Sequence, residues 1–139
     1  MMSVLTSDWQ SSRDQLTFVR HQVFVIEHGI DEQDEWDDQD AVATHFVAFG
    51  TTAVPVGVCR LTEDGQIGRL AVLPSYRQQG YGKLLLRKAI QVARELSLDE
   101  VFLHAMVDVQ PFYHAHGFES DGLIFMEAGK PHIKMTRKV

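Results

Sequence analysis

The sequence predicts a mixed α/β fold, in which an antiparallel meander and a parallel pair of strands form one sheet with helices on both faces. Three observations carry this prediction. Short apolar runs between residues 45 and 73 are separated by turn residues, which is typical of a meander. The apolar spacing changes to a helical period after Gly80. An apolar run at 101–105 follows that helix, and strands joined by a helix normally form a right-handed parallel crossover.

The chain has 139 residues and shows no internal repeat, low-complexity tract or linker, so we expect one domain over 1–139. At the start, Val4 and Leu5 predict a short first strand. Ser11 or Ser12 is expected to cap the first helix, whose end is placed near His28 and Gly29 because glycine is a common C-cap. Its buried stripe recurs at three and four residues and comprises Leu16, Val19, Val23, Phe24 and the stem of Arg20.

An acidic segment follows at 31–40, with seven carboxylates and no base. Two interpretations are open. Such a block is typical of a solvated loop, and it is also suited to a wall that attracts a cationic substrate beside a site.

The meander is predicted from strands at 45–49, 54–61 and 67–73. An Asp-Gly pair at 64–65 is a strong signal for a tight hairpin between the last two. Pro74 should end the third strand because it has no amide hydrogen to donate. Beyond the central helix, the sequence predicts a buried strand at 101–105, a short helix from Pro111 to His116 that stops at Gly117, and two final strands near Phe118 to Phe125 and His132 to Thr136.

Composition narrows the classes of function. Cys59 is the only cysteine, so an intramolecular disulfide is excluded and a reducing compartment is expected. A formal net charge of -6 argues against nucleic-acid binding. The sequence has neither an apolar run long enough for a membrane span nor a signal peptide, and we therefore expect a cytoplasmic protein. The oligomeric state is open, with a homodimer as one option.

The segment that carries the chemistry is the loop Arg77-Gln78-Gln79-Gly80-Tyr81-Gly82-Lys83, between a strand and a long helix. Glycine allows a close backbone approach, and a helix N-terminus offers unpaired amide hydrogens and positive potential to a phosphate. A P-loop is excluded because Arg77 stands where its first glycine should be, and Leu84 where Ser or Thr should be. A dinucleotide fingerprint is excluded because its third glycine would fall at Leu85.

Arg77-x-x-Gly80-x-Gly82, in this context, resembles the pyrophosphate cradle of the GNAT superfamily of acetyltransferases. A second block, Pro111 to Phe118, is similar to the Phe-Tyr-x-x-x-Gly-Phe signature of that family. The resemblance implies an N-acetyltransferase that transfers an acetyl group from acetyl-CoA to a primary amine of a small molecule or peptide in a ternary complex. It further implies that Tyr113 protonates the departing thiolate and that the cofactor is held by the residues Leu70, Ala71, Val72, Arg77, Gln78, Gln79, Gly80, Tyr81, Gly82, Lys83 and Tyr113.

One departure from the family pattern is Met106, where many members have an Asn or Gln that bonds the pantetheine arm. A narrower resemblance, to a bacterial GNAT subgroup described as predicted acyltransferases, rests on segments 23–27, 37–45 and 125–135. It sharpens the expected fold but not the substrate.

The general base is not settled by the sequence. Some relatives have a glutamate where this chain has Gln66. We predict Glu27 and His45 as catalytic candidates beside Tyr113, while His104, His132 and a chain of waters remain alternatives. No metal site is expected, because His114 and His116 point to different helix faces without further ligands. The rival functions are a non-catalytic CoA-binding or sensory module, and an acyltransferase with another acyl chain or acceptor.

Overall fold

The computed structural model describes residues 2–139. Within them the chain forms two four-stranded sheets, in which every ladder is antiparallel. The first sheet has the order β1-β2-β3-β4. In the second, β8 lies between β5 and β6 and also pairs with β7. The strands are β1 (Ser3–Ser7), β2 (Thr44–Phe49), β3 (Pro55–Leu61), β4 (Ile67–Val72), β5 (Glu100–Met106), β6 (Glu119–Ser120), β7 (Phe125–Glu127) and β8 (Lys130–Lys138), and the helices are α1 (Trp9–Arg20), α2 (Glu32–Glu35), α3 (Tyr81–Glu95) and α4 (Gln110–His114).

The predicted meander is confirmed as β2-β3-β4, and β1 pairs with the outer edge of β2. The hairpin between β3 and β4 turns at Gly65, whose φ of 96° favours glycine. β4 ends at Val72, and Pro74 opens a single 3₁₀ turn, as expected for a residue without an amide hydrogen.

The predicted parallel pair of β4 and β5 is not confirmed. The two strands meet at one isolated parallel bridge, between Gln66 and Phe102, and form no ladder. A bulge in β4 supplies the physical reason. Its register against β3 shifts between Val58 and Arg60, and Arg69 has a φ of 48°. A bulge bends a strand and increases its twist, so β4 leaves β5 after the bridge and a gap opens between their C-terminal halves.

The first helix begins one turn earlier than predicted. Its cap is Asp8, which accepts a hydrogen bond from the Ser11 amide at 2.8 Å. Ser12 instead lies inside α1 and exchanges a 2.6 Å hydrogen bond with Ser7. After α1 the chain continues as a π-helical segment, His21–Glu27, which ends at His28 as expected.

Helices cover both faces of the first sheet, as predicted. α3 packs on one face and α1 on the other. The α3 side buries a large core that includes Phe46, Leu61, Leu85, Leu86, Ala89 and Phe118. The α1 side buries a smaller one made of Leu16, Val19, Val23, Val47, Val58 and Ala71. Burying a side chain of this size stabilises the fold by about 1.5–3 kcal/mol, so the two cores fix both helices against the sheet.

The C-terminal region has three strands where two were predicted, because the predicted strand near Phe118 to Phe125 is interrupted between β6 and β7, where Gly122 has a φ of 105°. Among the described residues, no helix combines the length and apolar character that crossing a membrane requires.

Candidate active site

The glycine loop places an uncapped helix N-terminus at the surface. Gly80 is the N-cap of α3 with a φ of 97°, and no side chain of residues 2–139 caps this end. The first helical hydrogen bond runs from the Leu84 amide to the Gly80 carbonyl at 3.0 Å. The amides of Tyr81, Gly82 and Lys83 precede that bond and lack helical partners. Such a terminus suits an anion, so the loop has the geometry that a phosphate requires.

The surroundings of this terminus are electropositive. His116, on the turn after α4, has a pKa below its usual value because of burial and of the charges on Arg87, Lys83 and Arg137. Arg137 also approaches the turn at Gly117, where an added Cβ would lie 2.8 Å from its Nε. The residues present therefore fit an anionic group at the start of α3.

The glycine loop and the block from Pro111 to Phe118 lie next to each other in the structure. The Phe112 ring lies 3.8 Å from the position that a Cβ on Gly82 would take. Tyr113 packs between Phe112 and Phe118, with ring centroids 5.1 and 6.0 Å away. Burial, with a smaller contribution from Cys59, raises the pKa of the Tyr113 hydroxyl above its usual value. Tyr113 is therefore protonated throughout the neutral range and can act as a proton donor.

β4 presents backbone groups to the gap beside β5. The Leu73 amide bonds the Val56 carbonyl on β3 at 2.9 Å. Backbone groups of successive strand residues point to opposite edges, so those of Leu70 and Val72 point into the gap while those of Ala71 point to β3. The Val72 carbonyl there accepts a hydrogen bond from Arg77 Nε at 2.9 Å. Of the three predicted backbone contacts, Leu70 and Val72 are thus available at this edge.

The loop side chains divide by exposure. Tyr81 is buried, with its ring edge-on to Tyr76 at 6.2 Å, so only its backbone faces outward. Gln78, Gln79 and Lys83 are exposed. Gln79 donates to the Ser75 carbonyl at 3.3 Å, which ties the loop to the preceding turn.

Arg77 and Glu27 form a two-pronged ion pair, with N–O distances of 2.7 and 2.6 Å. The hydrogen bonds from Arg77 hold the pKa of the Glu27 carboxyl below its usual value, and Glu27 raises the pKa of Arg77. Glu27 is therefore ionised but already bonded, which makes it a weak proton acceptor in this arrangement.

His45 lies away from any surface that a substrate could reach, since its exposure is 0%. Its Nε2 donates to the Asp40 carbonyl at 2.9 Å, and its ring lies 5.6 Å from that of Trp9. Its Nδ1 is buried without a hydrogen-bond partner among the described residues. Burial lowers the pKa of this imidazole. This position argues against direct proton exchange with a substrate.

The acidic segment is folded onto arginines, which neither sequence interpretation anticipated. Arg20 is buried between the rings of Trp9 and Trp36. Its guanidinium bonds Glu35 Oε1 at 2.8 Å and the two carboxylate oxygens of Asp40 at 2.8 and 3.1 Å. The buried stem of Arg20 was visible in the sequence, but the partner of its charged end was not.

Two further arginines complete this network. Arg60 bonds Asp37 at 2.7 Å and Asp40 at 3.0 Å, and Arg69 bonds Asp37 at 3.1 Å. Burial would raise the pKa of Asp40, but the hydrogen bonds from Arg20 and Arg60 and the charge of Arg20 outweigh this effect, and the pKa is lowered. Three carboxylates of the segment are thus neutralised by three guanidinium groups, and four exposed ones are left: Asp31, Glu32, Asp34 and Asp38.

A second cluster, which sequence reasoning found only in part, lies on the second sheet. His104 on β5 and His132 on β8 face the same carboxylate, that of Glu127 on β7. Nδ1 of His104 lies 3.1 Å from Glu127 Oε1, and Nε2 of His132 lies 3.8 Å from Oε2. Both histidines were candidates from the sequence, whereas Glu127 carried no signal except its place in the segment 125–135.

Other reactive groups are inert or absent. Burial raises the pKa of the Cys59 thiol to about 12, so this residue is no nucleophile near neutral pH. Among the described residues, no three His, Cys, Asp or Glu side chains are arranged so that they could hold a metal ion.

Comparisons with known proteins agree with this architecture. A model of the acetyltransferase (GNAT) domain matches residues 16–139. A Bacillus subtilis protein provisionally named as an acetyltransferase is 31% identical over 126 residues, which cover 86% of this chain and 85% of that protein. A Lactobacillus plantarum structure, provisionally named as an N-acetyltransferase, has a TM-score of 0.89 at 26% identity and covers 99% of this chain and 97% of its own. An acyl-CoA N-acyltransferase from Pseudomonas aeruginosa has a TM-score of 0.87 at 29% identity over 99% of both chains. The chain therefore belongs to the GNAT acetyltransferase family, whose reaction is acyl transfer from an acyl-CoA to an amine.

Proposed function

We propose that this protein is an N-acetyltransferase that acts as one domain over 1–139 and moves an acetyl group from acetyl-CoA to a primary amine. The observation that carries the proposal is the uncapped N-terminus of α3, which lies in contact with the helix that holds Tyr113. A phosphate site and a proton donor are thereby adjacent. An amine attacks the thioester directly, because Cys59, the one thiol of the sequence, is buried and protonated.

The cofactor is held by backbone more than by side chains in this proposal. The amides of Tyr81, Gly82 and Lys83 bind the pyrophosphate, with the charge of Lys83 beside them. The backbone edge of Leu70 and Val72 holds the pantetheine arm in the gap next to β5. Acetyl-CoA supplies a thioester, an activated acyl group that an unprotonated amine can attack.

Arg77 contributes to this site while it is hydrogen-bonded to Val72 and Glu27. Its Nε donates to the Val72 carbonyl, and its two terminal nitrogens hold Glu27, so the guanidinium braces the loop against β4. Its remaining N–H groups are free to face a phosphate. Glu27 is therefore assigned as the partner that orients Arg77.

Tyr113 holds a proton on its hydroxyl oxygen for the departing sulfur. Its raised pKa keeps that proton in place throughout the neutral range, and packing between Phe112 and Phe118 fixes the ring. An amide on the gap edge near Val72 is suited to stabilise the developing oxyanion.

The acceptor is proposed to be cationic. The four exposed carboxylates of the acidic segment and the net charge of -6 give the protein a negative field that favours such a substrate. One of these carboxylates, Glu32, lines a pocket with Asp14 and His21 on the outer side of α1.

Two measurements test the proposed function. Calorimetry with CoA is expected to show micromolar-range binding, and release of free thiol from acetyl-CoA should then depend on an amine from a panel of polyamines, aminosugars and lysine peptides. Binding of CoA without release for any amine would favour the rival, a non-catalytic CoA-binding module. Release with a longer acyl chain only would move the assignment to another acyl donor.

A further inference from the structure

The open face of the second sheet carries the cluster of His104, Glu127 and His132. Side chains alternate along β5, and Val101, Leu103 and Ala105 are buried on the α3 side. Phe102, His104 and Met106 therefore point to the opposite face. α1 covers that face only over the first sheet, so the β5 end of it stays partly exposed and His104 keeps 30% of its side-chain surface.

The gap between β4 and β5 joins this face to the cofactor side. The helix N-terminus and Tyr113 lie with α3, and the strands separate after the bridge at Gln66 and Phe102. In this arrangement the thioester lies along the backbone edge of Leu70 and Val72. Its CoA portion extends to the α3 side of the sheet, and the acceptor approaches from the opposite face. A proton donor for sulfur and a proton acceptor for the amine thus belong on opposite faces of the sheet.

The geometry of His104 is that of an oriented base. Its Nδ1 faces Glu127 at 3.1 Å, and because a carboxylate only accepts hydrogen bonds, Nδ1 is the protonated nitrogen of the neutral ring. Nε2 then carries the lone pair, and it makes no hydrogen bond within residues 2–139. The Phe125 ring stands edge-on to the imidazole at 5.0 Å and limits its rotation. A carboxylate that orients a histidine so that its other nitrogen can accept a proton is a recurring catalytic arrangement.

His132 has a different position in the cluster. It is 9% exposed, and its Nδ1 donates to the Lys130 carbonyl at 2.8 Å. Its ring is therefore fixed beneath the hairpin between β7 and β8. That hairpin lies near the π-helical segment, since Lys130 is among the charges that lower the pKa of Glu27.

We propose that His104 is the general base of the reaction, that Glu127 is its positioning residue, and that the acceptor amine binds on this open face of β5, β7 and β8. The inference rests on the proposed acetyl transfer. An acceptor ammonium gives one proton to Nε2 of His104, which passes it to solvent. The amine nitrogen then bonds the acetyl carbon while the carbon–sulfur bond breaks. Tyr113 protonates the sulfur and regains a proton from the second N–H that the nitrogen loses.

The kinetic test compares two acceptors at saturating acetyl-CoA. Spermidine is protonated at pH 7 and needs a base, whereas hydroxylamine is largely unprotonated there and does not. His104→Gln should lower kcat with spermidine about 10²-fold and change the hydroxylamine rate far less. Glu127→Gln should lower the spermidine rate about tenfold, in kcat more than in KM, as expected of a positioning residue. The matched controls are His114→Gln and Glu119→Gln, which alter an exposed histidine–glutamate pair 3.8 Å apart, and they should leave both rates unchanged.

A second readout needs no turnover. In NMR spectra of the protein without acetyl-CoA, the ring signals of His104 are identified as those that are missing in His104→Gln. Adding spermidine should shift these signals and leave the ring signals of His114 unchanged. Because only the unprotonated amine can react in His104→Gln, its rate with spermidine should fall about tenfold for each pH unit through the neutral range, more steeply than that of the parent. The charged groups that face this ring are Glu127, Lys134 and His132. Equal losses with both acceptors, or equal rates of parent and His104→Gln with spermidine, would overturn the assignment. If CoA binds but no amine of the panel named above releases thiol from acetyl-CoA, the proposed function fails, and the base assignment fails with it.

Discussion

Arg77 and Glu27 lie fifty residues apart in the chain and hold each other through two hydrogen bonds, of 2.7 and 2.6 Å. The pair joins the end of the first helical region to the glycine loop, and Arg77 Nε extends it to the Val72 carbonyl on β4. Both side chains are more than a third exposed, at 39% and 34%. The pair thus fixes the position of the loop, and its contribution to stability is limited to about 1 kcal/mol or less.

Glu27→Gln tests whether this carboxylate exchanges protons with the substrate. Because Arg77 lowers its pKa, Glu27 is ionised throughout pH 5–8 and should not produce a titration in that range. The variant is therefore expected to keep the shape of the pH–rate profile and to unfold within about 1 kcal/mol of the parent. A changed shape of the pH–rate profile in Glu27→Gln, measured with the amine that gives the fastest release, would instead make Glu27 the base.

Gly82→Glu tests the phosphate site. A Cβ on Gly82 would have only ordinary contact with Phe112, at 3.8 Å, so the fold should tolerate the side chain. The new carboxylate stands where the pyrophosphate is proposed to bind, and CoA affinity measured by calorimetry should fall at least tenfold. Gln91→Glu places the same charge on an exposed position of α3, away from its N-terminus, and should bind CoA like the parent. Equal affinity of Gly82→Glu and the parent would remove the glycine loop from the cofactor site.

Tyr113→Phe separates acid catalysis from packing. The phenyl ring retains the contacts with Phe112 and Phe118, so CoA binding and thermal stability should be preserved. Without the hydroxyl, the acetyl-transfer rate in single-turnover experiments should fall about 10²-fold. Single-turnover data are needed because slow product release would hide the effect in the steady state. An unchanged rate would leave Tyr113 with a packing role only.

Arg20→Ala tests the buried charge network. The change leaves the carboxylates of Glu35 and Asp40, which are 3% and 2% exposed, without their main partner. Breaking a buried ion pair in this way costs about 3–5 kcal/mol, and urea unfolding should show a loss of that size. Arg13→Ala is the matched control, since Arg13 also lies over the Trp9 ring at 5.6 Å but is exposed. A loss below about 1 kcal/mol for Arg20→Ala would mean that water or other arginines replace its contacts.

Local chemistry explains what could be predicted. The Asp-Gly turn, Pro74 and Gly80 act on their immediate neighbours, so the hairpin, the end of β4 and the start of α3 followed from the sequence. The cap of α1 was misplaced because Asp8 and the serines at 11 and 12 have similar local preferences, and only the Ser7 contact to Ser12 distinguishes them.

Features that depend on contacts between residues far apart in the chain could not be predicted from the sequence. The parallel pair failed because a bulge at Arg69 turns β4 away, and no residue pattern signals that backbone conformation. The network of Arg20 with Glu35 and Asp40 joins positions 15 and 20 residues apart. No local pattern shows these contacts, and the sequence therefore did not predict that part of the acidic segment is buried. Glu127 could not be recognised as a site residue from the sequence, because it lies beside His104 and His132 only after β5, β7 and β8 have paired.

The burial of His45 predicts a loss of stability in mild acid. Burial lowers its pKa below the usual histidine value of about 6.5, so the folded protein keeps the imidazole neutral while the unfolded chain binds a proton below that pH. Stability from this group is complete above about pH 6.5 and declines as the pH falls through that value, by at most about 1.4 kcal/mol per pH unit. His116 adds a change of the same sign, since its pKa is also lowered. Urea unfolding at pH 7.5 and pH 5.5 should therefore show a smaller difference in the free energy of unfolding for His45→Gln than for the parent, whereas His114→Gln, which alters an exposed histidine, should retain the full difference. Nδ1 of His45 has no hydrogen-bond partner among the described residues, so a proton added there would meet no acceptor. An unchanged pH dependence in His45→Gln would contradict the prediction, and would mean that local opening exposes the ring of the folded protein to water, where it binds a proton as readily as in the unfolded chain.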